Sequence, residues 1–163
     1  MRSRKRMGGR TSAANLRRRS KRAGHLPWHK KPKLVTVEIL DSRTQLWTFR
    51  PRVLGLNELS RRWKFHKEKS EWKAAVARLL QFHKDPDSLR HAKPVTLSSL
   101  YFEPSVSRDP SNVDGGAMKA LLDALVESGI LPDDGWKWIR PPHTYSWELD
   151  KSDPRVELTM REI

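Results

Sequence analysis

The sequence predicts an α+β single domain, a mixed β-sheet with two main helices in the order β-α-β-α-β-β, preceded by a disordered basic arm. Three observations carry this prediction. Runs rich in β-branched residues alternate with two stretches of helical periodicity. The chain has 163 residues, about the size of one domain. Residues 1–33 hold 13 Lys and Arg and no Asp or Glu, whereas the remainder balances 20 basic against 19 acidic residues.

The elements follow in order. Leu34-Val35-Thr36-Val37-Glu38-Ile39-Leu40 reads as a first strand, and Asp41 to Pro51 as a short hairpin through Leu46-Trp47-Thr48-Phe49. Leu56-Asn57-Glu58 leads into a helix over roughly 63–83, with Trp72, Val76, Leu79 and Leu80 on its apolar face and Lys67, Lys69, Lys73 and Arg78 opposite. Asp85-Pro86-Asp87 breaks it. A long strand runs from Pro94 to Phe102, and Arg108 to Asn112 has turn chemistry. The second helix spans about Gly116–Glu127, with Met118, Leu121, Leu122, Leu125 and Val126 as its stripe and Gly129 as its C-terminal stop. Two closing strands, near Thr144–Leu149 and Arg155–Arg161, are joined by a turn over Asp150–Pro154. Trp63 and Trp72 are expected to pack the first helix, and the alternating Trp136 and Trp138 to share one buried strand face. An exposed aromatic stacking on an opened base is the functional alternative for Trp136 and Trp138.

Composition narrows the function. No run of about 20 apolar residues is present, so no membrane span is expected, and the charged start of the chain has no apolar stretch behind it to make a secretory signal. With no cysteine, disulfides, thiolate zinc sites and cysteine nucleophiles are excluded, which fits a cytoplasmic protein. The six histidines form no pair with convincing ligand spacing. The net charge of +14 is concentrated in the arm, where Arg17, Arg18 and Arg19 stand together. Like charges repel there and almost nothing is available for burial, so a polyanion is the natural partner. A solvated tail or a misassigned start are the plainer explanations.

The segment from Arg108 to Asp134 is unexpectedly acidic for a basic protein. It holds Asp109, Asp114, Asp123, Asp133 and Asp134, with Asn112 and Lys119 among them. Carboxylates suit Mg²⁺, whose other positions are filled by water and substrate phosphate, and a nearby lysine adds a point charge for the phosphate. If the second helix packs back on the sheet, Asp109 before it and Asp133-Asp134 after it meet at one site, with Lys119 in its first turns. The same residues also have ordinary roles: Asp-Pro-Ser-Asn as a turn, Asn112 or Asp114 as a helix cap, Lys119 and Asp123 as a surface pair four residues apart, and Asp133-Asp134-Gly135 as a loop.

The strings Arg108-Asp109-Pro110-Ser111-Asn112, Lys119 to Gly129 and Leu131-Pro132-Asp133-Asp134 resemble the RusA-like Holliday junction resolvases of phages and prophages. The pattern there is R-D-x-D-N, then K-x-x-x-D-A-L, a glycine and D-D. Leu56 to Trp63 is similar to the family's L-N and basic-aromatic segment. The resemblance covers roughly 34–163 and is strongest over 108–134. It implies a homodimeric, Mg²⁺-dependent endonuclease, with Mn²⁺ as a substitute metal, that resolves four-way or other branched DNA in a bacterial or phage-infected cell. Carried over, Asp109, Lys119 and Asp134 are catalytic, and Asp109, Asp134, Asp133 and Asp114 serve the metal. Asn57, Arg61, Arg62, Lys67, Lys69, Arg108, Asn112 and the arm arginines contact DNA. Ser111 stands where the family has its second aspartate, and Asp114 is left to supply that carboxylate. A DNA-binding protein with a weakened metal site and a basic RNA- or ribosome-associated protein are the rival expectations.

Overall fold

The computed structural model describes residues 31–163. The expectation of a disordered arm falls on residues 1–30 and lies outside the described residues. The chain runs β1 (Leu34–Asp41), β2 (Thr44–Arg50), a one-turn helix α1 (Leu56–Leu59), α2 (Arg62–Phe82), β3 (Val95–Glu103), α3 (Pro110–Glu127), β4 (Ile139–Leu149) and β5 (Arg155–Glu162). The architecture is α+β, a five-stranded mixed sheet in the order β1-β2-β5-β3-β4. Every neighbouring pair is antiparallel except β3 and β4, which α3 connects in parallel.

Register explains the core. Val35, Phe49, Val156, Tyr101 and Trp147 lie opposite one another across all five strands, and Val37, Trp47, Leu158, Ser99 and Tyr145 form the next row on the same face. The rows are buried from β2 through β3 and open to solvent at the β4 edge. Trp72, Ala75 and Val76 of α2 and Val113, Ala117, Ala120, Leu121 and Ala124 of α3 cover them. Phe49 and Trp72 meet edge to face at 5.5 Å.

The expected apolar stripes of both long helices are the ones that pack, whereas the hairpin is formed by the first strand with Thr44–Arg50 and not within Asp41–Pro51 alone. Gly129 stops α3 with a φ of 73°. Gly129 N donates to Val126 O and Ile130 N to Leu125 O, each at 2.9 Å, a Schellman ending sealed by buried Ile130.

Several expectations need correction. The second helix starts at Pro110, not near Gly116, because Asp109 caps it and proline at the first helical position is pre-organised for the helix. β4 begins at Ile139 rather than Thr144; an edge strand tolerates Pro141 and Pro142, which donate no ladder bond. β4 and β5 do not pair: β5 inserts between β2 and β3, and the Asp150–Pro154 turn passes over the end of β3, where Asp150 N donates to Glu103 O. Trp63 is 58% exposed and packs no core, whereas Trp72 is fully buried. Trp136 and Trp138 lie in a turn before β4, and Trp136 is 75% exposed. Lys33, counted with the arm, belongs to the domain: its ammonium bonds buried Glu68 at 2.7 Å and sits 4.4 Å above the Trp72 ring.

The two glycines inside α3 have different reasons. Gly116 lets α1 cross the helix closely: an added methyl would overlap the Leu56 nitrogen and lie 2.6 Å from the Gly55 carbonyl carbon. At Gly115 the same methyl meets only the end of the Leu56 side chain, at 3.2 Å. Gly116→Ala should therefore destabilise the domain by about 1–3 kcal/mol through overpacking. Gly115→Ala should stabilise it by up to about 1 kcal/mol through helix propensity. Denaturant unfolding of both variants measures the contrast; equal effects would contradict the close crossing.

Candidate active site

α3 carries the acidic segment and distributes it. At the N-terminus, Asp109 accepts from Ser111 N at 3.0 Å and from Ser111 Oγ at 2.8 Å, so its carboxylate is the helix cap. Asn112, one turn on, accepts from Asn57 N at 2.7 Å and ties α1 to α3. Asp114 turns toward the sheet, where it accepts from the Tyr101 hydroxyl at 2.6 Å and lies 3.9 Å from His143 Nε2. Burial and then the Asp114 bond hold the Tyr101 phenol well above its ordinary range.

Lys119 lies in the middle of the helix, not in its first turns. Ten residues from Asp109 amount to about 15 Å of axial advance, and five from Asp114 to about 140° of rotation. Its ammonium bonds Asp134 Oδ2 at 2.6 Å and Asp123 Oδ1 at 2.8 Å. Asp133 Oδ1 in turn accepts from Asp134 N at 2.9 Å and shapes the loop that presents Asp134. Asp109 and Asp134 thus occupy two separate stations. Asp109 is held by Ser111 at the start of the helix, and Asp134 by Lys119 at its middle. Asp114 belongs to neither.

The mid-helix station continues onto α2. Asp123 lies 4.0 Å from Lys69, which bonds Glu127 at 2.8 Å, and Glu127 accepts from Lys73 at 3.1 Å. Charges alternate along this line, so Lys69 is committed to an interhelical pair. Arg61, Arg62 and Lys67 remain on an exposed basic surface at the start of α2; Arg62 Nε contacts His66 and Lys67 approaches Glu71 only at 3.9 Å. Asn57 is exposed beside them.

Arg108 is an internal residue. It bonds Glu103 at 2.7 Å and Glu58 at 2.7 Å, while Arg52 bonds Glu58 at 3.0 Å and approaches Glu103 at 3.9 Å. The four side chains close a ring of alternating charge that sequence reasoning missed. The spacing of Gly55 and Glu58 was the available signal, since Glu58 Oε2 also accepts from Gly55 N in a first-turn capping contact. Burial alone would raise the Glu58 carboxyl, but the bonds from Arg52 and Gly55 and the charge of both guanidiniums hold it below its ordinary value.

Among the described residues, no group of three or more His, Asp or Glu is gathered to hold a metal ion. Asp123 and Asp134 converge on the Lys119 ammonium, as Glu58 and Glu103 do on the Arg108 guanidinium. Among the described residues, no helix is long and apolar enough to cross a membrane. No protein-family model matches the chain, and a search of curated proteins finds no match.

Hydrogen bonds donated to Asp123 and then to Asp134 push the Lys119 ammonium up to about 12. The raised value means that the folded state holds the proton more tightly: any stabilisation from these bonds is complete below 10.5 and is lost as pH rises through about 12. Side-chain NMR should find Lys119 titrating last among the exposed lysines, with Asp134→Asn lowering its midpoint. A Lys119 midpoint indistinguishable from the other lysines would contradict the two-carboxylate clamp.

Proposed function

We propose that the chain is a structure-specific endodeoxyribonuclease of the RusA-like resolvase kind, cutting four-way or other branched DNA with Mg²⁺. The observation that carries the reading is the Lys119 ammonium between Asp123 and Asp134, exposed on a chain whose first 33 residues are strongly basic. A lysine and two carboxylates at one exposed point are the groups phosphodiester hydrolysis needs. Two hard oxygen donors fit Mg²⁺, which is commonly held by one or two carboxylates and takes its remaining oxygens from water and substrate phosphate. Asp134 and Asp123, with Asp133 beside them, would hold the ion. When bound, the ion supplies an activated water and neutralises charge on the phosphate.

The chain's own residues divide the remaining work. Lys119 offers a protonated point charge to the scissile phosphate or the leaving oxygen. Arg61, Arg62 and Lys67, with the arm, supply sequence-independent phosphate contacts. Two copies acting together would place paired cuts across a junction.

A second reading, a branched-DNA-binding protein without cleavage, draws on a specific observation. The Asp109 carboxylate is closed on Ser111 as a helix cap, so this station lacks the free acidic pair of the R-D-x-D-N pattern.

Incubating the full chain with labelled four-way junction or linear duplex, with and without Mg²⁺, tests both readings. Mg²⁺-dependent cutting of the junction in preference to the duplex is the expected result. Lys119→Ala and Asp134→Asn should each reduce cutting by about 100-fold or more, since they remove transition-state contacts. Junction affinity should stay largely intact, because it comes from many dispersed cations. Tight binding without cutting by the unaltered chain supports the second reading; cutting unaffected by either substitution overturns the site.

A further inference from the structure

The turn that follows Asp134 is built from an aromatic and cationic run that the cleavage centre does not use. Gly135 O accepts from both Trp138 N and Ile139 N at 2.9 Å, closing a tight knuckle. Val95 N donates to Trp138 O at 2.8 Å and pins that knuckle to the start of β3. Trp136 projects from it with 75% of its surface exposed. The Arg140 guanidinium stands 5.4 Å from the Trp136 ring centroid, and Lys137 Nζ stands 5.7 Å from that of Trp138. Both distances are within cation–π range. From Gly135 to Trp147 the chain contains no Asp or Glu, while Lys137, Arg140 and His143 alternate with Trp136, Trp138, Tyr145 and Trp147.

The exposed indole offers an open aromatic face, and the cations beside it favour a partner of opposite charge. Nucleobases stack on indole faces whatever their sequence, and their phosphates complement Arg140 and Lys137. A paired base inside a duplex hides its face; an unpaired one offers it. Only Gly135 separates Trp136 from Asp134, at most about 7 Å of backbone, so a base stacked on Trp136 lies close to the phosphate presented to Lys119. We propose that Trp136, backed by Arg140, is a stacking platform for an unpaired nucleobase, giving the protein its preference for DNA with open or single-stranded positions. The placement relative to the cut rests on the nuclease reading; the recognition of an unpaired base does not.

The test uses the full chain and two probes at one salt concentration: a fluorescent single-stranded oligonucleotide, and the same oligonucleotide annealed to its complement. Trp136→Ala should weaken single-strand binding by about 5- to 150-fold, the range for losing one base stack, and leave duplex binding unchanged. Trp136→Phe, which keeps an aromatic face, should recover most of the loss. Equal weakening on both probes, or none on either, overturns the platform. Junction cutting is scored separately. A chain that cuts junctions while Trp136→Ala binds single strands normally retains the nuclease and loses the platform. A chain that never cuts but discriminates through Trp136 retains the platform and loses the nuclease.

Discussion

The ring formed by Arg52, Glu58, Arg108 and Glu103 fixes the geometry from which the rest of the site follows. Its members come from the segment after β2, from α1, from the end of β3 and from the loop leading into α3. Taking Arg52, Arg108 and Glu103 largely out of water is expensive, and the cost is recovered only when each finds opposite charge in good geometry. Arg108 does so with both its terminal nitrogens, bridging two carboxylates. The ring therefore resists partial opening. While it is closed, α1 lies across α3 at Gly116, Asn112 receives the Asn57 amide, and Asp109 is held where it caps the helix. Arg108, which reads as a DNA contact in the sequence, ties the loop to Glu58 and Glu103.

With its start held, α3 sorts the acidic residues by helical geometry alone. Rise and rotation send Asp109 to the end, Asp114 inward to Tyr101, and Lys119 with Asp123 outward to Asp134. Asp109 meets a backbone amide, Asp114 a buried phenol, and Asp123 and Asp134 share one ammonium. The lysine–carboxylate cluster consequently gathers at mid-helix, next to the loop that carries Trp136, and the Asp109 end serves as a cap.

The long apolar stripes of α2 and α3 and the Gly129 stop were legible because they depend on residues within a few positions of one another. Asp109-Pro110 was not, because a turn and a helix start call for the same residue types, and only the packing of Gly116 against α1 decides between them. The insertion of β5 between β2 and β3 leaves no local mark, since strand order is set by which rows of side chains bury together. Arg108 and Glu58 are 50 residues apart, and nothing at either position announces the other. Trp136 and Trp138 have the spacing of a strand face, yet the bonds to Gly135 O curl them into a turn. The mid-helix lysine clamp was half visible: the four-residue spacing of Lys119 and Asp123 is a local signal, whereas the approach of Asp134 depends on how the chain returns after Gly129.

The dependence of the α3 start on the charge ring is measured most directly by a double-mutant cycle in denaturant unfolding, using Glu103→Gln, Arg108→Gln and the pair. Each single change takes one of two opposite charges from a largely buried group and should cost about 1–3 kcal/mol. The double change should cost less than the sum, with a coupling of about 0.5–3 kcal/mol. Losses that add to within about 0.5 kcal/mol would mean that the two residues act independently, and that the ring does not hold the loop.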